Sequence, residues 1–249
     1  MILRVLCILL LLSSSAWARM GPMVAGGGAV AVAGYPDVIF YWSCDSTTAN
    51  KSAGDTSASA QAGATISTSR YQQGTGSVAV DGAYRRFEFT LNNDDLADME
   101  TGRIGMWVYV DSTITGGSNF IRLYYDANNY IKLYMFGTNR IYFDYRAGGS
   151  GPQYVGTSNN AFANDEWVFV EFAWNKGGAG NDFQIFVNGS SVSSDDTVSG
   201  TWSKGASGVL SIGDYDGNAS AANNYNIDNI IISNDPTRDL YALRNTTSF

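Results

Sequence analysis

The sequence predicts an all-β fold in which two antiparallel sheets pack face to face. From Tyr35 onward, short runs rich in Val, Ile, Phe, Tyr and Trp are broken by Gly, Asn, Asp or Ser. The breaks come roughly every ten residues, which is typical of a β-sandwich. Several runs alternate apolar and polar residues, and long helical patterns are missing. We therefore predict a single sandwich domain over residues 35–249.

The first segment of the chain is typical of a secretory signal peptide. Residues 1–18 carry one Arg, an apolar run from Val5 to Leu12, and small residues at Ala16 and Ala18. The apolar run is shorter than the roughly 20 residues that cross a bilayer. We therefore predict an extracellular protein without membrane insertion, either free or associated with a virion or cell surface.

A Gly/Ala-rich segment follows the predicted signal peptide. Residues 19–34, RMGPMVAGGGAVAVAG, have no strand or helix period and no charge after Arg19. Such a composition is typical of a flexible leader. The same segment is a candidate for docking and self-assembly.

Eleven runs are predicted as strands, and residues 239–244 are predicted as a short helix. In chain order the strand runs cover residues 38–43, 77–81, 86–91, 103–110, 120–125, 130–136, 140–145, 166–174, 182–187, 209–213 and 226–233.

Two of these runs have a clear core face. In the run 166–174, the alternate residues Val, Val, Phe and Trp at 168, 170, 172 and 174 form a face with no polar member. In the run 182–187, Phe183, Ile185 and Val187 form a second apolar face. Asn-Gly at 188–189 then predicts a type I′ hairpin turn, because both residues tolerate positive φ.

Charge and composition exclude several functions. The chain has 15 basic and 23 acidic residues, a net charge of −8, and removal of the predicted signal peptide with its one Arg gives −9. Nucleic acid is therefore not an expected partner. Divalent cations or neutral ligands such as glycans suit an acidic surface better.

Cysteine and histidine usage narrows the chemistry further. Cys7 leaves with the predicted signal peptide, so Cys44 has no partner for an internal disulfide. The chain has no His, which excludes Ser-His-Asp and Cys-His catalysis and His-ligated zinc. The remaining enzyme chemistry is that of carboxylates, Tyr, Lys or hard metal ions, with glycoside hydrolysis as the main candidate.

One acidic residue interrupts an isoleucine run in the last predicted strand. In YNIDNIIISND, counting by twos from Asp228 reaches Ile230 and Ile232, which predicts that all three share a buried face. An ionised carboxylate there costs several kcal/mol unless a partner satisfies it.

The order of the predicted strands resembles a known family. The chain is similar, segment by segment, to the laminin G-like domains of the concanavalin A-like lectin/glucanase superfamily, and the resemblance covers residues 36–244. It implies a jelly-roll sandwich, a fold that hosts lectins, adhesins, glycosidases and structural modules. The segments that carry the resemblance are VIFYWSCDSTTANKSAGD, SVAVDGAYRRFEF, GRIGMWVYVDS, EWVFVEFAWN, FQIFVNG, LSIGD and IDNIIISNDPTRDLYAL.

The resemblance also implies a role for two acidic residues. In many members an acidic residue after the first strand and the aspartate of the last core strand lie together, often around calcium. The matching positions are Asp45 and Asp228. A calcium ion would neutralise both carboxylates. The alternative is that Asp228 accepts hydrogen bonds from backbone and hydroxyl groups near a sheet end.

The loop GDYDGNASAANN offers a second group of oxygen ligands. Asp214, Asp216 and Asn218 lie at alternate positions, as at the start of an EF-hand loop. Ala219 and Tyr225 stand where that loop needs Gly and Glu, so it is not an EF-hand. A looser calcium or sugar site and a solvated Asx-rich loop both remain open.

The segment from Phe120 to Arg146 is rich in tyrosine. If its Ile, Leu and Phe residues face the core, its polar and tyrosine residues face outward together, which is what a sugar-binding surface needs. Tyrosine is also a good strand residue, so a structural role is the alternative. The predicted outward residues are Arg122, Tyr124, Lys132, Tyr134, Tyr142 and Asp144, of which Tyr124, Tyr134 and Tyr142 are candidate ligand-binding residues.

Glycoside hydrolysis is not expected. The glucanase branch of the superfamily carries a Glu-x-Asp-x-x-Glu run, which is absent here. Glu166 and Glu171 fall on opposite faces of one strand, with Val168 at the place of the middle acid. The sequence therefore predicts a secreted, non-catalytic module that binds a glycan or a glycosylated surface. The alternative is a structural or adhesive component of a virion or surface appendage.

Overall fold

Two antiparallel sheets packed face to face form the fold, as the sequence predicts. The computed structural model describes residues 35–52, 57–92, 100–112, 114, 116–176, 182–195, 199–203, 207–216 and 224–246, which belong to one compact unit. The predicted signal peptide (1–18) and leader (19–34) lie outside the described residues.

The described residues form sixteen strands and one short helix. In chain order they are β1 (Val38–Trp42), β2 (Lys51–Ser52), β3 (Ser59–Gln61), β4 (Thr65–Ser67), β5 (Ser77–Val80), β6 (Arg86–Asn92), β7 (Thr101–Val110), β8 (Gly117–Asp126), β9 (Asn129–Phe136), β10 (Arg140–Arg146), β11 (Gln153–Gly156), β12 (Trp167–Asn175), β13 (Phe183–Val187), β14 (Ser190–Asp195), β15 (Ser207–Gly213), β16 (Tyr225–Ser233) and α1 (Leu240–Leu243).

The strands divide into a nine-stranded and a seven-stranded sheet. The larger sheet has the order β14-β13-β12-β7-β16-β1-β2, and β5 also pairs with β16 and with β4. The smaller sheet has the order β11-β10-β9-β8-β15-β6-β3. Because β1 pairs with β16, strands from the two ends of the domain lie side by side.

All eleven predicted strands are confirmed, with ends that move by at most three residues, and α1 confirms the predicted helix. The five strands that the sequence did not predict are short and mostly polar. Among them, β14 is held in the sheet by the turn at Asn188 and Gly189, whose φ values of 49° and 77° confirm the predicted type I′ hairpin.

The core lies between the two sheets. The predicted apolar faces of β12 and β13 are confirmed, because their alternate residues belong to one buried cluster with the inward residues of the smaller sheet. Phe143 of β10 stacks on Phe172 and Trp174 of β12, with ring centroids 5.2 and 5.8 Å apart. These contacts join the sheets without a disulfide, and Cys44 is itself buried.

The two sheets differ in what covers their outer faces. On the larger sheet, Leu240 and Leu243 of α1 pack in a second apolar cluster with Tyr41, Trp107 and Phe169. Among the described strands and the helix, none packs on the outer face of the smaller sheet. In the part of the chain that the structure describes, that second face is therefore open except where Tyr215 and Asp216 lie on it.

Asp228 does not share a face with Ile230 and Ile232, so the prediction made by counting in twos is wrong. The register shifts after Asp228, which pairs with Trp107, while Asn229 has a φ of 48°. This β-bulge turns Ile230 and Ile232 toward the core, whereas Asp228 lies on the outer face with Trp107. A single residue with positive φ thus moves the carboxylate out of the sandwich interior.

Asn229 should be the position of β16 least tolerant of a β-branched residue. Asn229→Val loses the hydrogen bonds to Tyr41 and to the Arg244 carbonyl, and it places a branched side chain at positive φ. We expect about 2–4 kcal/mol loss of unfolding free energy by urea denaturation. Asn226→Val is the control, since it also loses side-chain hydrogen bonds on β16 but has ordinary strand φ. Equal losses in the two variants would contradict a role for the bulge.

Candidate functional site

The open face of the smaller sheet presents polar and aromatic side chains in register. Along β8, β9 and β10, fully buried residues alternate with partly exposed ones. The prediction that the tyrosine-rich segment turns its polar face outward is therefore confirmed. The outward residues are Arg122 and Tyr124 on β8, Tyr130, Lys132, Tyr134 and Phe136 on β9, and Arg140, Tyr142, Asp144 and Arg146 on β10.

An aromatic cavity of about 440 Å³ lies on this face, lined by Lys132, Tyr134, Phe136, Tyr142 and Tyr154. The rings of Tyr134 and Tyr142 stack with centroids 5.3 Å apart. The side chains of Phe136 and Tyr154 are 55% and 64% exposed, so both rings are accessible at the rim. We call these five residues the aromatic cavity.

The hydroxyl groups in the aromatic cavity are suited to hydrogen bonding. Burial, with the nearby Asp144 carboxylate, raises the pKa of Tyr134 to about 12. Its hydroxyl is therefore protonated at neutral pH and can both donate and accept. Exposed rings beside such hydroxyls can contact the apolar face and the hydroxyl groups of one ligand.

A second cavity of about 250 Å³ on the same face is charged. The guanidinium of Arg122 lies between the rings of Tyr124 and Tyr215, 3.9 and 3.8 Å from their centroids. Lys132 Nζ lies 2.8 Å from Asp216. We call this the charged cavity; its lining residues are Arg122, Tyr124, Ala127, Tyr130, Lys132, Asp144, Arg146 and Asp216. Lys132 belongs to both cavities, so they adjoin.

The structure separates the acidic residues of the loop after β15. Asp216 lines the charged cavity. Asp214 is fully buried and accepts a hydrogen bond from the Tyr84 backbone N–H at 2.9 Å, so it fixes the end of β15 and does not reach the open face. Asn218 lies outside the described residues.

The two candidate metal ligands anchor one loop. The segment 70–76 approaches β16 between β1 and β5, where Asp228 accepts hydrogen bonds from the backbone N–H of Gln72 and Gln73 at 2.7 and 2.9 Å. Asp45, at the end of β1, accepts from the backbone N–H groups of residues 75 and 76. Asp45 and Asp228 therefore hold the same loop from its two sides.

This arrangement does not fit a calcium ion. Calcium takes six to eight oxygen ligands. Here backbone N–H groups point their positive ends at both oxygens of Asp228 and at one oxygen of Asp45. Within the described ranges, no three His, Cys, Asp or Glu side chains cluster as a metal site. These hydrogen bonds match the alternative role predicted for Asp228, in which it accepts hydrogen bonds from backbone groups near a sheet end.

Glu171, one of the two acidic residues considered for glycoside hydrolysis, holds two parts of the fold together. Glu171 is fully buried on the outer face of the larger sheet, where its Oε1 lies 2.8 Å from Arg103 Nη2. The same oxygen accepts a hydrogen bond from the backbone N–H of Tyr241 at 3.2 Å. Glu171 thus fastens α1 to the sheet, away from both cavities.

Sequence reasoning missed two residues of the aromatic cavity. Phe136 continues the outward alternation of Lys132 and Tyr134, so the period of β9 could have identified it. Tyr154 lies on the four-residue strand β11, which carries no distinct strand pattern in QYVG. Only the pairing of β11 with β10 places this tyrosine beside the cavity.

The fold and the open face define a lectin-like β-sandwich. A laminin G family model, described as the concanavalin A-like lectin/glucanases superfamily, matches residues 88–238. The match covers more than half of the 249-residue chain, and the chain therefore belongs to this superfamily.

Three toxin binding domains are among the solved structures with a similar fold. The receptor binding domain of botulinum neurotoxin C/D mosaic serotype matches with a TM-score of 0.64 at 14% identity, over 83% of this chain and 51% of that one. The binding domain of botulinum neurotoxin DC in complex with SialylT gives 0.61 at 16% identity, over 83% and 50%. The binding domain of Paraclostridial Mosquitocidal Protein 1 gives 0.65 at 11% identity, over 82% and 50%.

The chain spans about half the length of these structures, and at such identities the likeness shows the fold alone. No curated protein matches the chain. Among the helices of the described residues, none is long and apolar enough to cross a membrane.

Asp228 should make stability depend on pH. Burial is the main cause that raises the pKa of Asp228 from 3.8 to about 7, and the Asp45 carboxylate adds to the rise, although three backbone hydrogen bonds oppose it. The stability from this group is complete below about pH 3.8 and is lost as the pH rises through about 7. We expect the free energy of unfolding to fall from pH 5 to pH 8 by on the order of 2 kcal/mol. Asp228→Asn should show a smaller fall in parallel urea titrations, and identical pH slopes would contradict this expectation.

Calcium should leave the melting temperature unchanged, because N–H groups occupy both carboxylate oxygens of Asp228 and one of Asp45. The measurement is thermal denaturation in millimolar calcium and in excess chelator. A bound ion at a hundredfold excess over Kd would add about 2.7 kcal/mol, or several degrees for a domain of this size. A calcium-dependent rise that Asp228→Asn abolishes would establish the metal site that the resemblance implies.

Proposed function

We propose that this protein is a secreted, non-catalytic carbohydrate-binding module that holds its ligand on the open face of the seven-stranded sheet. The observation that carries the proposal is the aromatic cavity of about 440 Å³, with two exposed rings around a stacked tyrosine pair. It lies on the sheet face that no described strand or helix covers.

The chemistry of the aromatic cavity suits a sugar ring. A pyranose has an apolar face of C–H groups, which packs on an aromatic ring, and a rim of hydroxyls, which need donors and acceptors. Tyr154 and Phe136 provide exposed ring surface at the rim. Lys132 and the hydroxyls of Tyr134 and Tyr142 provide the polar contacts.

The solved structures of similar fold support a binding module only at the level of the fold. The three similar solved structures named above are binding domains, and one of them is a complex with SialylT. This chain spans half of that structure, so the ligand bound there does not identify the ligand of this chain. The support from these structures is limited to a fold that serves ligand binding in other proteins.

The proposed absence of catalysis rests on the acidic residues. A glycosidase needs two carboxyl groups that flank the scissile bond, as acid and as nucleophile or base. Asp216 is paired with Lys132, and Glu171 is held by Arg103 on the opposite sheet. Incubation with β-glucans, galactans and xylans should release no reducing sugar. Turnover that is lost on replacing Asp144 or Asp216 would contradict the proposal.

The alternative, a structural or adhesive component of a virion or appendage, depends on residues 19–34, which lie outside the described residues. Self-assembly is the result that would distinguish such a component from a binding module. Concentration-dependent oligomers that disappear when residues 19–34 are removed, without binding to any glycan, would favour it.

Replacing the rings of the aromatic cavity should weaken glycan binding. A glycan array identifies a ligand, and calorimetry then compares Tyr142→Ala and Tyr154→Ala with the parent. We expect each variant to lose about 1 kcal/mol or more, roughly a fivefold weaker Kd. Tyr154 is 64% exposed, so its variant should keep the parental melting temperature.

The matched control is Tyr71→Ala, because Tyr71 is also an exposed tyrosine (45%) but does not line the aromatic cavity. It should bind as the parent does. Unchanged affinity in both cavity variants would place the ligand elsewhere and would contradict the proposed site.

A further inference from the structure

The charged cavity contains hydrogen-bonding groups that have no partner in the described part of the chain. Nε and Nη1 of Arg122 have no acceptor, and Oδ1 of Asp144 has no donor, although all three atoms are buried. Arg122 and Asp144 both line the charged cavity. A donor and an acceptor are therefore left unsatisfied beside one cavity.

Such unsatisfied groups are unusual, because a buried donor or acceptor without a partner costs about 1–3 kcal/mol, and more when it is charged. The rings of Tyr124 and Tyr215 stabilise the Arg122 charge through cation–π contacts. Those rings offer no lone pair to the two N–H groups. A ligand that brings an acceptor for Arg122 and a donor for Asp144 would satisfy both residues.

The charge of this cavity is opposite to that of the chain. Three basic residues (Arg122, Lys132, Arg146) and two acidic ones (Asp144, Asp216) line it, so its formal charge is 3 − 2 = +1. The whole chain has a net charge of −8. An anionic group is therefore attracted to this part of an otherwise acidic protein.

The planar guanidinium group indicates which anion fits. Arginine binds carboxylates through paired N–H donors on one edge of the guanidinium, Nε with Nη2 or Nη1 with Nη2, so a carboxylate on either edge would reach one of the two unpartnered nitrogens. Asp144 Oδ2 accepts a hydrogen bond from the Tyr130 hydroxyl at 3.4 Å, so a hydroxyl donor is needed only at Oδ1. Burial is the main cause that raises the pKa of this carboxyl group. A ligand with a carboxylate next to hydroxyl groups would satisfy both residues.

We propose that the charged cavity binds the carboxylate-bearing residue of an acidic glycan, a uronic or a sialic acid. The sugar carboxylate pairs with Arg122, and a neighbouring hydroxyl donates to Asp144. The adjoining aromatic cavity, which shares Lys132, holds the next sugar residue. This inference rests on the proposed function, which it narrows to acidic glycans.

Asp216 competes with the ligand in this arrangement. It is an exposed residue of the loop after β15, and its ion pair with Lys132 is of the surface type that contributes at most about 1 kcal/mol. Tyr215, next to it, covers one side of Arg122. The incoming carboxylate replaces Asp216 beside Lys132, and a shift of Tyr215 and Asp216 exposes the Arg122 donors.

The experiment compares ligands that differ only in the carboxylate. Calorimetry measures the Kd of oligogalacturonate against its methyl ester, and of sialyllactose against the methyl ester of its sialic acid carboxylate. We expect the parent to bind one of the two acids at least tenfold more tightly than its neutral counterpart, and the two pairs show which acid is recognised. Arg122→Gln should remove this preference for the acid form.

Two further variants test the roles of the neighbours. Asp216→Asn removes the competing carboxylate, so it should bind the acidic ligand more tightly than the parent, severalfold at low salt. Arg122→Lys keeps the charge without the planar donors and should retain only part of the preference. The control is Arg85→Gln, which removes a partly exposed cation that pairs with Asp81 and does not line either cavity.

The outcomes separate this inference from the proposed function. Equal affinity of the parent for acid and neutral forms would overturn the acidic-glycan inference and leave carbohydrate binding intact. A preference for a sulfated over a carboxylated glycan would also overturn it, as would weaker acid binding by Asp216→Asn. Failure to bind any glycan would overturn both. If Arg122→Gln unfolds, judged by its melting temperature, then Asp216→Asn and the parent's ligand pairs decide the result.

Discussion

Strand β16 is buried on both of its faces, and the rest of the structure depends on that constraint. All nine of its residues are buried. A strand in a two-layer sandwich buries one face in the core, so the second face of β16 must be covered from outside. Helix α1 and the segment after it provide that cover, and the Asn229 side chain bonds to Tyr41 and to the backbone of this segment.

The same constraint separates the roles of the two sheets. Because the chain after β16 folds over the larger sheet, it leaves the smaller sheet free on its outer side. The strands of this exposed face alternate buried residues with tyrosine, lysine and arginine, so the face is not a continuous apolar patch. The surface proposed to bind glycans is thus the one that the packing of the C-terminal segment does not use.

The loop between β4 and β5 is held by hydrogen bonds to two carboxylates. Backbone N–H groups of residues 72–76 converge on Asp45 and Asp228. The aspartate among the isoleucines, which a strict strand period would place in the core, lies on the outer face because of the bulge at Asn229. Its partners come from a segment more than 150 residues earlier in the chain.

The sequence by itself determined the fold class, eleven strands, the hairpin at Asn188 and Gly189, and the outward direction of Tyr124, Tyr134 and Tyr142. These features depend on a period of two and on local turn chemistry, which neighbouring residues encode. Only the tertiary structure decided that Asp214 is buried, that Asp228 lies outside the sandwich core, and that Tyr154 joins the aromatic cavity. Those outcomes depend on a bulge and on pairings between distant strands, and the residues near each position in the chain do not encode such long-range contacts.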